Sequence, residues 1–257
     1  MEKEKEYIID RIPRLLKAEE IECRVGTIKG NGLTLLLYKD ARTDMRILNE
    51  TYGNGYWQRT HEVINGNLFC NIEVWNDKIN QWVKKQDVGT ESFTEKEKGE
   101  ASDSFKRAGF NFGIGVELYT SPFIWIQPRK DMKPYNVKDM NNEPANEFYL
   151  YKQNAYTTKT VFKVSKIGYN DNREINKLEI VDNKGNVRFS LVPEKEQKEI
   201  FNLMVKINEL VAEIPNMDFE TITNHYKVES TSEMTLEQLK DCVKKMEKMK
   251  GKNKNGK

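Results

Sequence analysis

Residues 82–119 decide how the chain is read: Trp82-Val83-Lys84-Lys85-Gln86-Asp87-Val88-Gly89, a polar spacer, Thr94-Glu95-Lys96-Glu97-Lys98-Gly99-Glu100-Ala101-Ser102-Asp103-Ser104-Phe105-Lys106-Arg107-Ala108, then Phe112-Gly113-Ile114-Gly115 and Leu118-Tyr119. The first piece is extended, and because side chains alternate along a strand, Lys84 and Lys85 point to opposite faces. Thr94 and Glu97 fit a capping box that starts a helix. Ala101, Phe105, Ala108 and Phe112 recur at intervals of four, three and four, which makes one buried stripe suited to lie on a sheet. Lys106 and Arg107 fall on opposite flanks of that stripe. Asp103 stands at i−4 from Arg107, the spacing of a simple surface ion pair. Gly113 and Gly115 follow the helix, where glycine commonly ends it.

Upstream, residues 57–89 read as a three-stranded meander. Leu68, Cys70, Ile72 and Val74 form one apolar face with Asn71 and Glu73 on the other, and Asn65-Gly66 is a tight-hairpin signal because both residues accept positive φ. Trp75 and Trp82 flank the second turn and are expected to pack on one another. Asp40 caps a helix that runs to Gly53. Ile21–Lys29 and Leu33–Tyr38 read as strands around Gly30-Asn31-Gly32, and a short helix is expected over Pro13–Glu20. Downstream, residues from about 128 to 147 carry Pro134, Pro144 and Asn141-Asn142 and read as an irregular linker. Strands at Phe162–Tyr169, Lys177–Val181 and Val187–Val192 form a further hairpin region over 160–192. After Pro193 the chain turns helical: Ile200, Leu203, Met204, Ile207, Leu210, Val211 and Ile214 share a face, a short helix follows at Phe219–Tyr226, and Thr235-x-x-Gln238 caps a last one. The organisation expected is a core over 1–192 and a helical region over 193–257, whose basic end from Gly251 is expected to be disordered.

The 257 residues are 32% charged with a net charge of only +2, and the stretch Lys244–Lys257 by itself carries +6, which leaves −4 for the remainder. A nucleic-acid contact must therefore come from a local patch. Cys23, Cys70 and Cys242 are far apart and support neither a disulfide framework nor a zinc site. No run approaches the ~18 apolar residues of a membrane span, and a cytoplasmic, membrane-free protein is expected. The glycine pairs lack the Lys-Ser/Thr of a phosphate loop, so ATP binding is unsupported, and His61 and His225 form no zinc-protease spacing. Glu73, Asp87 and Asp103 could serve a metal-dependent nuclease, although acids on alternating strand faces are usually solvated. Arg59, Lys84, Lys85, Lys106 and Arg107 sit on the meander and the helix expected to pack on it, where they could neutralise phosphates of a single strand. Tyr56 and Trp57 could stack on bases, with a core role favoured for the tryptophan.

The order Asp87-Val88-Gly89, Glu95-Lys96-x-x-Gly99-x-x-Ser102-Asp103-x-x-Lys106-Arg107-Ala108, Phe112-Gly113-x-Gly115, Leu118-Tyr119, preceded by Tyr38-Lys39-Asp40-Ala41-Arg42, Leu48-Asn49-Glu50-x-Tyr52-Gly53 and Asn54-Gly55-x-Trp57, resembles the core of the Rad fifty-two family of single-strand annealing proteins, in its bacteriophage branch. The resemblance covers roughly residues 21–125. It implies a ring or helical oligomer that holds single-stranded DNA by its backbone in a basic groove, leaves the bases exposed, and anneals complementary strands in phage recombination and repair without ATP or another cofactor. Lys106 and Arg107 match the pair that contacts the DNA backbone. Where eukaryotic members carry another arginine one turn later, this chain has Phe110, so the groove is less basic or is supplemented by Arg42, Arg46 or Arg59. The tail from Phe219 resembles helical tails that recruit a host single-strand binding protein or a partner exonuclease. The expectation is therefore an α+β, non-enzymatic annealing protein with a curved antiparallel meander, a helix packed across it and a small helical C-terminal region, acting in the bacterial host cytoplasm. A passive coating protein is the alternative, and a nuclease a further one.

Overall fold

The structure, a computed structural model, describes residues 11–90, 96–129, 147–152 and 155–254. The chain is α+β and divides into two compact units, Met1–Leu191 and Val192–Lys257. The Thr94 half of the expected capping box, most of the expected linker and residues 255–257 lie outside the described residues.

The first unit is built from antiparallel pairings. Strands β1 (Glu22–Lys29) and β2 (Gly32–Tyr38) make a hairpin, and helix α1 (Ala41–Tyr52) starts where the Asp40 side chain accepts a hydrogen bond from the Arg42 amide. The meander is β3 (Trp57–Ile64), β4 (Asn67–Asn76) and β5 (Gln81–Val88). Its first turn places Asn65 at φ 51° and Gly66 at φ 80°, the left-handed pair that a two-residue hairpin needs. Helix α2 (Lys96–Phe110) packs across the apolar face, burying Phe105 and Ala108 against Cys70, Ile72 and Val74. After a single 3₁₀ turn at Val116–Thr120 and the short β6 (Ile124–Ile126), a small hairpin of β7 (Tyr149–Lys152) and β8 (Ala155–Thr157) leads to β9 (Phe162–Tyr169), β10 (Ile175–Asp182) and β11 (Val187–Leu191). These last three on one edge and β6 on the other extend the first hairpin into a six-stranded sheet in the order β11-β10-β9-β1-β2-β6.

The expected helix over Pro13–Glu20 is not there: only Ala18–Glu20 turn, as 3₁₀. Tertiary partners take the backbone groups that a helix would need. The Pro13 carbonyl accepts from Arg173 at 2.7 Å, the Leu16 amide donates to Glu117 at 2.7 Å, and the Leu16 carbonyl accepts from Tyr169 at 2.8 Å. At the last residue of the expected linker the buried Glu147 pairs with Arg188, and Phe148, just beyond it, is core.

Two glycines explain why α2 can lie so close. A Cβ on Gly89, just past β5, would stand 2.2 Å from the Glu100 carbonyl oxygen, and one on Gly109 would stand 2.3 Å from Asp44 Oδ1. Backbone cannot swing aside as a side chain can. Gly89→Ala is therefore expected to cost about 1–3 kcal/mol in thermal or urea unfolding, whereas Gly55→Ala, with nothing within 4 Å of its Cβ, should be nearly neutral.

In the second unit α3 (Glu194–Glu213), α4 (Phe219–Tyr226) and α5 (Leu236–Lys254) enclose Ile207, Leu210, Ile214, Ile222, Leu239 and Met246. The Thr235/Gln238 capping box forms as expected, its two bonds at 2.8 and 3.2 Å. Helix α5 continues past Gly251 to Lys254, further than the expected disordered tail allowed. Among the described residues no helix is long and apolar enough to cross a membrane.

Candidate nucleic-acid interface

The meander register sorts the basic residues. Arg59, Ile72 and Lys85 stand in one line across the three strands, as do Gln58, Glu73 and Lys84 in the next. Because neighbouring positions face opposite ways, Arg59 and Lys85 share the face covered by α2, while Lys84 stands on the outer face with Glu73. Lys84 reaches Glu62 at 3.7 Å there, and both are well exposed. Glu73 accepts from Gln58 at 2.6 Å on the same outer face, so a sheet separates it from Asp87 and the nuclease triad does not converge. Among the described residues no group of three or more His, Cys, Asp and Glu side chains is placed to hold a metal ion.

On the covered face Phe105 gathers two side chains of β3. Trp57 stacks on its ring at 6.3 Å and 17°, and the Arg59 guanidinium lies 4.5 Å from its centroid, a cation–π contact. Trp57 is thereby committed to the core, its indole N–H held by Asn49 at 2.6 Å. Tyr56 stays half exposed. Trp75 and Trp82 face each other across the second turn at 5.5 Å, edge to face, as the sequence predicts. On the β5 flank Lys85 donates to the Asn111 carbonyl at 2.6 Å and lies 4.9 Å from the Phe112 ring.

Lys106 and Arg107 diverge to opposite flanks, as one helical step requires. Arg107 does not take the i−4 acid. It pairs with Asp87 at 3.3 Å, and Asp103 instead accepts from the amide and hydroxyl of Thr90, both at 3.1 Å. The Asp-Val-Gly and Lys-Arg-Ala pieces are thus one contact: Asp87 binds Arg107, Gly89 admits the helix, and Ala108 seals it. Arg42 and Arg46 stay on α1. The first pairs with Asp40 at 3.0 Å, and the second with the buried Glu20 at 2.8 Å. Arg14, bonded to the same carboxylate, is the main reason the Glu20 carboxyl is held down at about 2.

Lys106 differs from all of these. Among the described residues its ammonium makes no ion pair or hydrogen bond, and it lines a groove of about 250 Å3 formed by the end of β2, α2 and the 3₁₀ turn after it. Beneath that groove Lys39, 2% exposed, forms a buried ion pair with Asp44. The Lys39 ammonium also donates to the Lys106 carbonyl at 3.4 Å and lies 4.4 Å from the Phe110 ring centroid. Loss of water pushes the Asp44 carboxyl up to about 6 and pulls Lys39 down, and Asp44 Oδ2 has no hydrogen-bond partner.

No family model matches this chain, and no curated protein matches it.

Sequence reasoning did not assign Tyr38, Lys39 and Tyr119 to the site, and took Phe110 only as a loss of charge from the groove. They are spread over some eighty residues, and only the fold brings them around Lys106. All three cysteines are free, and burial pushes Cys23 and Cys70 up to about 11, so neither thiol is a nucleophile at neutral pH.

Proposed function

We propose that the chain binds single-stranded DNA and anneals complementary strands without ATP, as a homo-oligomeric ring or filament serving phage recombination. The observation that carries this reading is the ammonium of Lys106, which among the described residues makes no ion pair or hydrogen bond and lines an open groove on a helix whose motif order resembles the Rad fifty-two family. A cation without an internal partner at the edge of a groove is a ready phosphate contact. Annealing needs no bond-making residue. Neutralised phosphates repel one another less, and two strands held in register lose less entropy when the first pairs form. Recruitment of a host single-strand binding protein or phage exonuclease falls to the C-terminal helices, by resemblance to phage recombination proteins.

The test follows duplex formation from two complementary oligonucleotides, without nucleotide or metal, by the wild type and by Lys106→Ala/Arg107→Ala. The wild type should accelerate pairing. The double variant, checked for folding by tryptophan fluorescence, should bind at least about tenfold more weakly, and its log-affinity against log-salt slope should shrink by about 1.4. Binding without acceleration would make this a coating protein. Cleavage that starts with magnesium would favour a nuclease.

A further inference from the structure

The Lys106 groove is walled by aromatic rings rather than by further cations. Tyr38 comes from the end of β2, Phe110 from the last turn of α2, and Tyr119 from the following 3₁₀ turn. Tyr119 is 70% exposed, and its ring meets Phe110 edge to face at 5.1 Å. Phe110 is fixed from the other side by Lys39, whose charge Asp44 balances. Tyr38 stands directly opposite Glu22 across the β1–β2 pair, where the backbone pairing fixes its position, and it is 38% exposed.

Charge in the groove is sparse. Lys106 is a cation with no ion pair among the described residues, Asp103 is an acid held by Thr90, and Lys39 is neutralised from below. Such a lining has room for one phosphate beside Lys106 but would repel a run of them. A sugar–phosphate backbone also gives no reason for two tyrosines to stand open to water around one ammonium. A nucleobase does, because every base has a π-face that stacks on an aromatic ring regardless of sequence.

Resting on the single-stranded DNA reading above, we infer that this groove is a base-stacking subsite: Tyr119, backed by Phe110, and Tyr38 take one base of the bound strand, and Lys106 takes the phosphate next to it. One base per subunit then fixes the register of the strand while the others stay free to pair. The stacked base joins the duplex by leaving the groove.

The test measures affinity of the full chain for fluorescein-labelled oligothymidylate and for an abasic sugar–phosphate oligomer of the same length, at one salt concentration. The wild type should prefer oligothymidylate by about tenfold or more. Tyr119→Ala should lose most of that preference with little change toward the abasic oligomer, Tyr119→Phe should keep it, and Lys106→Ala should weaken both oligomers alike. Equal wild-type affinity for the two oligomers would overturn the subsite and leave backbone binding standing. A preference that survives in Tyr119→Ala/Tyr38→Ala would place the stacking elsewhere and also overturn it. Binding of neither oligomer would overturn the single-stranded DNA reading, and the subsite with it.

Discussion

Lys39→Met is expected to destabilise the first unit by about 3–5 kcal/mol, the usual result of removing one partner from a buried ion pair. The ammonium it deletes is almost fully buried, and the Asp44 it abandons is 0% exposed with one oxygen already unpartnered. No water reaches the carboxylate left behind. Burial already holds Asp44 at about 6, above its unfolded value, so the folded state takes up the proton more readily than the unfolded chain. The deficit of the variant should accordingly shrink as pH falls from about 8 to about 5, where Asp44 becomes neutral. Lys39→Met/Asp44→Leu should recover most of the loss, because apolar residues of similar volume avoid the desolvation cost altogether. Urea unfolding followed by tryptophan fluorescence measures this selectively, since Trp57, Trp75, Trp82 and Trp125 all belong to the first unit. A single-variant cost below about 1 kcal/mol would mean that the pair is not desolvated as described.

Phe105→Ala should cost a similar ~3–5 kcal/mol, for a different reason. The ring is 0% exposed, lies between α2 and the meander, and is the common surface for Trp57 and the Arg59 guanidinium. Truncation opens a cavity at the contact that sets the height of α2 over the sheet. It also releases Arg59. Phe105→Leu, which keeps most of the volume, should cost below about 1.5 kcal/mol. Because Phe105 adjoins Lys106 in the chain, the alanine variant should also bind single strands more weakly under the proposed function. The same urea titration, with oligonucleotide affinity measured beside it, separates the two effects.

Much of the local structure is determined by sequence alone. Alternation in β4 fixed its buried face, Asn65-Gly66 fixed the hairpin turn by accepting positive φ, and Thr235 with Gln238 fixed the start of α5. The divergence of Lys106 and Arg107 follows from helical geometry, and the separation of Lys84 from Lys85 from the two-residue repeat of a strand. Each depends on residues a few positions apart, and near neighbours in the chain are near neighbours in any fold. Only the tertiary structure decided that Arg107 would choose Asp87 over Asp103, that Lys39 would be buried, and that residues 13–16 would give their backbone groups to Arg173, Glu117 and Tyr169 instead of to a helix. It also gathered Tyr38, Phe110 and Tyr119 around Lys106. The physical reason is range: periodicity and φ preferences act over a single turn, whereas the choice of ion-pair partner and the loss of water depend on which distant segments the packed core brings together.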